Sequence, residues 1–248
     1  ITISWILCGI FFQAPDKSLV NAGGSAAKPG TSEMKQYTSG EMMRTRNFYL
    51  LLATMFFGLI SYFMVSPVSQ TYQIDLGIPS AVAVSAVMLG SIVNAGARLV
   101  LPTLADKVGR IVCIKGVLIV AVIAMGVLAV SRSLAVTVAV VLMYGCYGGI
   151  MGSFPSLTSS IFGMKHTGEN YGFVMFGIVF ATFGAPAISG LVSSNGYEMN
   201  VVFGIGAVFA VIAFVCLTLL GRNLVKEHAE KSVGAKKGTA QVRKPQAE

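Results

Sequence analysis

Six long apolar segments set the strongest limit on how this chain can fold. Each has about 20 residues or slightly more, the length an α-helix needs to cross the hydrocarbon core of a bilayer. They are residues 48–67, 81–104, 111–130, 134–154, 171–192 and 201–220. Only 11% of the 248 residues are charged, whereas a soluble protein carries about 25%. The sequence therefore predicts an all-α integral membrane protein with six spans.

The segments outside the spans suggest how the rest of the chain is organised. Residues 1–13 begin with an apolar run too short to cross a bilayer, which we interpret as the end of a truncated transmembrane helix. Residues 14–46 are polar and contain several glycines and prolines, as is typical of a flexible linker, with a short surface helix expected at 39–46. Residues 47–221 hold the six spans, and residues 222–248 form a basic tail. The expected product is a C-terminal fragment of a longer protein.

Positive charge is distributed unevenly between the two ends of the spans. Sixteen of the eighteen lysines and arginines lie in or beside the linker, the second and fourth connections between spans, or the tail. Of the other two, Arg132 lies on the opposite side and Arg98 lies within a span. Cytoplasmic segments of membrane proteins carry such an excess of lysine and arginine. The linker and the tail are therefore predicted to be cytoplasmic, in a multi-pass protein of a plasma or inner membrane.

Patterns typical of enzymes are missing from the sequence. Both histidines, His166 and His228, fall in predicted cytoplasmic segments, and no acidic residue lies within a span. A membrane hydrolase needs a nucleophile with a base, or paired ionisable groups, at membrane depth. A nucleotide-hydrolysing protein needs a phosphate-binding loop such as GxxxxGK[ST], and nucleic-acid binding needs a gathered basic patch. We therefore expect no enzyme activity, no cofactor, no metal site and no nucleic-acid partner.

Arg98 is the charged residue that lies deepest within a predicted span. A charge at membrane depth costs about 3 kcal/mol on insertion scales, so it usually faces a cavity and a partner. Asn94 and Ser91 precede it by four and seven residues, on one helical face that can hold the guanidinium. Tyrosines of other spans are candidates to add hydroxyls or ring faces: Tyr62, Tyr144 and Tyr147. One interpretation is an anion-binding arginine in a transport path; the other is an interfacial arginine that reaches the lipid phosphates.

Glycines recur at intervals of four residues in the fourth span. Gly145 and Gly149 form one such pair, and Gly148 and Gly152 form another. Small residues at this spacing allow helix backbones to pack closely in a membrane. The pattern indicates close helix packing and does not by itself indicate a function.

The segment LPTLADKVGR, residues 101–110, resembles the loop signature of the major facilitator superfamily, G-x-L-a-D-[RK]-x-G-R. Pro102 replaces the first glycine, and Ile111 stands where a further basic residue is usual. The resemblance implies the C-terminal six-helix half of a twelve-helix fold, with a cytoplasmic gate formed by Asp106, Lys107 and Arg110. The alternative is a solvated charged turn that only sets the topology.

The gate carboxylate is expected to have a positive partner. Asp106 would pair either with a nearby arginine or with the positive N-terminal end of a helix, for example that of the fifth span near Asn170.

Three segments narrow the resemblance to the oxalate/formate antiporter family: EMMRTRNFYLLL, NAGARL and GGIMGSFPSLTSSIFGMKHTGENYGFVM. Arg98 falls where that family places a substrate-binding arginine, in the eighth of twelve spans. Oxalate carriers of the family also use a lysine in span eleven, near Gly177 or Ile178 here, but residues 171–192 contain no lysine. One cation balances a monocarboxylate such as formate, lactate or pyruvate better than it balances oxalate.

These observations lead to a functional prediction. We expect a secondary active transporter of small organic anions that works by alternating access, with the lipid bilayer and a missing N-terminal half as partners. The alternative is a non-transporting receptor or scaffold module built on the same half-fold.

Overall fold

The structure is a computed structural model that describes residues 36–242, with side chains described as far as Glu227 and at Ala229. The interpretations of residues 1–13 as the end of a helix and of residues 14–35 as linker lie outside the described residues.

The described residues form nine α-helices and one 3-10 turn, without a strand. The helices are α1 (Ser39–Met43), α2 (Arg46–Val65), α3 (Ser69–Asp75), α4 (Ser80–Val108), α5 (Arg110–Val130), α6 (Ala135–Phe162), α7 (Thr167–Val174), α8 (Phe176–Ser194) and α9 (Met199–Val242), and the turn is Ser66–Val68. Six stretches are long and apolar enough to cross a membrane: span 1 (Arg46–Asp75), span 2 (Ser80–Val108), span 3 (Arg110–Val130), span 4 (Ala135–Phe162), span 5 (Thr167–Ser194) and span 6 (Met199–Glu227). The predicted all-α fold with six spans is confirmed.

Prolines do not end the spans where the sequence suggested an end. Helix α6 continues through Pro155 to Phe162, eight residues beyond the predicted limit, and α4 continues through Pro102 to Val108. At Pro67 the chain forms the 3-10 turn and then resumes as α3. Proline is tolerated in membrane helices because neighbouring helices and local 3-10 geometry compensate for the lost backbone donor. The spans are therefore longer than predicted.

The short helix expected at residues 39–46 forms, but it ends earlier. Helix α1 ends at Met43, and α2 begins at Arg46 because the Thr45 hydroxyl accepts a hydrogen bond from the Phe48 amide, at 3.3 Å. A threonine in this position satisfies one of the free amides at a helix start. The segment 39–46, predicted as one helix, therefore contains the short helix α1 and the first residue of span 1.

The two ends of the bundle are joined by different sets of contacts. At one end the Tyr37 amide donates to the Phe162 carbonyl at 2.9 Å, and Asn47 Nδ2 donates to Glu227 Oε1 at 2.9 Å. At the other end Arg132 pairs with Glu198 at 2.8 Å. The linker end, the fourth connection and the tail therefore share one end, the end that the excess of lysine and arginine assigns to the cytoplasm.

The spans differ in how much of their surface the described residues cover. Helix α4 buries only Ala83, Ala86, Gly90 and Ala105, whereas α6 buries more than half of its residues, including Phe154. Helix α4 packs mainly along α6. The helix that carries Arg98 is thus attached to the bundle along one narrow face, and most of its side chains remain uncovered by the described residues.

Candidate functional site

Arg98 and Asn94 form a pair on the uncovered part of α4. The Nε of Arg98 donates a hydrogen bond to Oδ1 of Asn94, at 3.1 Å. Residues four apart lie one above the other on a helix, so this bond needs no help from another element. The bond uses Nε and leaves the four N–H groups of the two terminal nitrogens available. No carboxylate among the described residues forms an ion pair with Arg98.

Tyr147 supports the guanidinium from a second helix. The Cζ of Arg98 lies 5.4 Å from the centroid of the Tyr147 ring, within the range of a cation–π interaction. Tyr147 also stacks on Tyr62, with centroids 4.2 Å apart and ring planes 13° apart. Three side chains from spans 1, 2 and 4 therefore converge, and the stack limits where the guanidinium can lie.

Tyr144 lies one helical turn before Tyr147 and contacts a different set of groups. Its ring packs edge-on against Tyr62, with centroids 5.4 Å apart. Its hydroxyl lies 3.5 Å from the hydroxyls of both Ser66 and Ser69, and Ser66 Oγ donates to Tyr62 Oη at 3.2 Å. Tyr144 thus joins a cluster of hydroxyls that reaches the Arg98 site through Tyr62.

Ser66 and Ser69 belong to this cluster, although neither was predicted as a site residue. The sequence feature that could have indicated them is the break in span 1 at Pro67, because one serine precedes Pro67 and another follows Val68. The 3-10 turn brings both serine hydroxyls to the hydroxyl of Tyr144.

The glycines of α6 form the surface on which α4 rests. A Cβ added at Gly148 would lie 2.8 Å from Oδ1 of Asn94 and would also collide with the Asn94 carbonyl. A Cβ added at Gly152 would lie 2.8 Å from the Arg98 carbonyl oxygen. Real side chains do not tolerate such distances. The glycine spacing therefore has a specific consequence: it allows the backbone of α4 to approach at the two residues that form the pair.

Pro102 does not prevent this crossing. Gly152 also faces the Pro102 ring, with Cγ 3.1 Å from an added Cβ. The helices therefore approach closely at Pro102 because the facing residue, Gly152, has no side chain.

Ser91 does not contact Arg98. Its hydroxyl donates to the Val87 carbonyl of its own helix, at 2.9 Å. Serine side chains commonly bond to the backbone of the preceding turn in this way. The hydrogen bond expected from Ser91 to the guanidinium is therefore not formed.

The charged turn at the cytoplasmic end forms its ion pair locally. Arg110 donates to Asp106 through Nε at 3.3 Å and through Nη2 at 3.2 Å, across the turn at Gly109. Lys107 is exposed and forms no ion pair with a described residue.

Asn170 bonds with the linker end and not with Asp106: its Nδ2 donates to the Tyr37 carbonyl at 3.0 Å. Two partners were expected for Asp106, a nearby arginine and the helix start near Asn170. Asp106 pairs with Arg110 and not with that helix start.

Span 5 has no room for a side chain at one of the two positions where a second cation was considered. A Cβ added at Gly177 would lie 3.1 Å from the Leu52 carbonyl oxygen and 3.2 Å from the Phe56 amide nitrogen. Ile178 is half-buried and packs against the core. Within the described spans, Arg98 is thus the cation that the site offers.

These features define a polytopic α-helical membrane protein with an arginine on an uncovered helix face of its second span. The model of the Major Facilitator Superfamily matches residues 1–181, and the chain belongs to that superfamily. This confirms the predicted family, and the family points to transporters and not to enzymes.

Two curated relatives narrow the likeness. The chain is 26% identical over 189 residues to the oxalate:formate antiporter of Oxalobacter formigenes. The aligned region covers 75% of this chain and 45% of that protein. It is 32% identical over 146 residues to the uncharacterized MFS-type transporter YhjX of Escherichia coli strain K12, which covers 58% of this chain and 36% of that protein. The matches span less than half the length of these relatives.

Proposed function

We propose that this chain is the C-terminal six-helix half of a secondary active transporter that moves small monocarboxylates, of the formate, lactate or pyruvate class, by alternating access. In this mechanism the two halves move about a site at their interface near the middle of the membrane. The observation that carries the proposal is Arg98: a cation at membrane depth, oriented by Asn94 and Tyr147, without a described carboxylate partner. A charge without a partner in a membrane span is costly, so such a residue is expected where a ligand completes the pair.

The geometry of the pair favours a carboxylate. Asn94 accepts the hydrogen bond from Nε and leaves the two terminal nitrogens of Arg98 without a bond to it. The two terminal nitrogens can then donate two parallel bonds to one carboxylate group. Tyr147 lies against the guanidinium and restricts its tilt, which reduces the entropy that is lost when the anion binds.

The charge of the site favours a monoanion. One carboxylate neutralises Arg98, whereas a dianion such as oxalate would leave one negative charge uncompensated. An unpaired ion away from water costs several kcal/mol. The relative from Oxalobacter formigenes is named an oxalate:formate antiporter, and formate is the monoanion of that pair. The crowding at Gly177 and the apolar Ile178 support the same choice.

We assign the charged turn of Asp106, Lys107 and Arg110 to a cytoplasmic gate. The Asp106–Arg110 pair is exposed, with 60% of the Asp106 side chain and 35% of the Arg110 side chain accessible. Such exposed pairs contribute only about 0–1 kcal/mol. Partners can therefore be exchanged between transport states at little cost, as a gate requires.

The test is uptake of labelled formate, lactate and pyruvate into liposomes by the protein with both halves present. We expect Arg98→Gln to abolish uptake, because the cation is lost. Arg98→Lys should reduce uptake strongly, because an ammonium cannot form the two parallel bonds. Unchanged flux in both variants would overturn the anion site, whereas no uptake by the wild-type protein would favour a receptor or scaffold role.

A further inference from the structure

A second feature of the bundle is a groove of about 490 Å³ between α4 and α5, with α6 as its floor. The two helices diverge from the turn at Gly109, and the space between them is lined by apolar side chains and small residues. Its walls include Leu101, Leu104 and Val108 from α4, and Val112, Gly116 and Val120 from α5. Several of these side chains are largely exposed, for example Val112 at 58%. Among the described residues, none fills the groove.

The groove is separate from the Arg98 site. Ala97, Leu101, Leu104 and Val108 recur every three or four residues and define one face of α4. Successive helical residues are about 100° apart, which places Arg98 about a quarter turn away from the centre of that face. The groove therefore opens on a different side of α4 from the guanidinium.

The environment of the groove indicates what occupies it. The groove lies between two spans whose length and composition suit a bilayer, so an acyl chain can reach its open side. An unfilled space there loses dispersion contacts, and an acyl chain can restore them. From Val93 to Val108 the groove follows fifteen residues of α4, roughly 22 Å at 1.5 Å per residue. One leaflet of hydrocarbon is about 15 Å thick, so the groove is long enough to hold one extended acyl chain along its whole depth.

The cytoplasmic mouth of the groove is electropositive. Val108 and Val112 line the groove on either side of Gly109, and the sequence places Lys107 and Arg110 beside them. Helix α5 starts here with Gly109 as its N-cap, no side chain caps it, and no acidic residue lies in its first turn. A helix start has free amides and a partial positive charge. Arg110 adds a further positive charge at this position, so an anion that binds here is stabilised by both. Asp106 is already paired with Arg110, and Lys107 forms no ion pair with a described residue.

We propose that this groove binds an anionic phospholipid of the cytoplasmic leaflet, with one acyl chain between α4 and α5 and the phosphate at Lys107 and the start of α5. The apolar walls select a lipid chain, and the cations at the mouth select a negatively charged headgroup. The proposal does not depend on which anion the protein transports.

The test measures lipid retained by the protein with both halves present. The purified protein is mixed with equal amounts of phosphatidylglycerol and phosphatidylcholine that have identical acyl chains, and bound lipid is counted by native mass spectrometry. We expect the wild type to retain phosphatidylglycerol about fivefold over phosphatidylcholine, the ratio that corresponds to one interfacial lysine. Lys107→Gln should remove this preference.

Two glycines of α5 provide a matched pair of variants. A side chain added at Gly116 enters open space in the groove, whereas one added at Gly126 enters open space elsewhere on the same helix. Gly116→Phe should lose both lipids, and Gly126→Phe should behave as the wild type. Ala97→Phe fills the groove from the opposite wall and tests the same point if Gly116→Phe fails to fold.

Three outcomes would overturn the proposal. One is equal retention of the two lipids by the wild type. Another is equal lipid retention by the groove-filling variants and Gly126→Phe. The third is a dimer in the native spectra that Gly116→Phe abolishes, which would assign the groove to a second copy of the chain.

Discussion

Gly148 lies directly against Asn94, the residue that orients Arg98. A Cβ at Gly148 would be 2.8 Å from the Asn94 Oδ1 that accepts the Arg98 hydrogen bond. The closest helix crossing in this part of the bundle and the proposed anion site therefore share one residue. Any group added at Gly148 must move the backbone of α4 away from α6, because the Asn94 carbonyl oxygen lies nearest to it.

Gly148→Ala is therefore expected to weaken anion binding without altering the cation. Overpacking of a tight contact costs about 1–3 kcal/mol, which corresponds to roughly a 5-fold to 150-fold increase in KM for formate uptake. Gly96→Ala is the matched control, because Gly96 lies on α4 itself with open space around its Cβ position. A Gly148→Ala protein with the KM of Gly96→Ala would contradict the positioning role.

Substitutions at Asn94 separate orientation from charge. Asn94→Ala removes the hydrogen bond to Arg98, and a bond to a charged group contributes about 1.5–3 kcal/mol, so we expect at least a tenfold loss of uptake. Asn94→Asp keeps an acceptor of the same shape but places a carboxylate on the guanidinium, which neutralises the site. Uptake should therefore be lower in Asn94→Asp than in Asn94→Ala, and the reverse order would show that Arg98 does not bind the anion through its charge.

Tyr147 is expected to act through its ring and not through its hydroxyl. Tyr147→Phe keeps the ring face beneath Arg98 and the stack on Tyr62, so uptake should stay within about twofold of wild type. Tyr147→Leu loses a cation–π interaction of about 0.5–2 kcal/mol and should reduce uptake severalfold. Tyr197→Leu is the control, since Tyr197 is 62% exposed in a connection. If Tyr147→Phe is as impaired as Tyr147→Leu, the hydroxyl itself contacts the anion.

A second cation in span 5 is expected to change the preferred charge of the substrate. Position 178 already holds a branched side chain, whereas position 177 faces the Leu52 carbonyl and has no room for one. Ile178→Lys should therefore make oxalate a better inhibitor of formate uptake, with Ile178→Met as the control for side-chain length. The measurement is the ratio of inhibition by oxalate and by formate in liposomes. An unchanged ratio in a folded Ile178→Lys protein would argue against selection by charge balance.

The Arg98–Asn94 pair and the six spans were accessible from the sequence because both depend on local periodicity. An apolar run of about 20 residues has few alternatives to a membrane helix. Residues four apart on a helix face each other whatever the rest of the fold does. Ser91 shows the limit of this reasoning. It lies on the same face, but its hydroxyl finds a nearer acceptor in the Val87 carbonyl of its own helix.

The position of Tyr147 beneath Arg98, its stack on Tyr62 and the hydroxyl cluster of Ser66, Ser69 and Tyr144 required the assembled bundle. These contacts depend on how each helix is rotated about its axis and at what height it crosses its neighbours. The glycine spacing in α6 indicated only that some helix comes close. In the structure, the partner of these glycines is the α4 backbone at Asn94 and Arg98. The sequence of one helix could not predict this partner, because the space available at a crossing depends on the side chains of both helices.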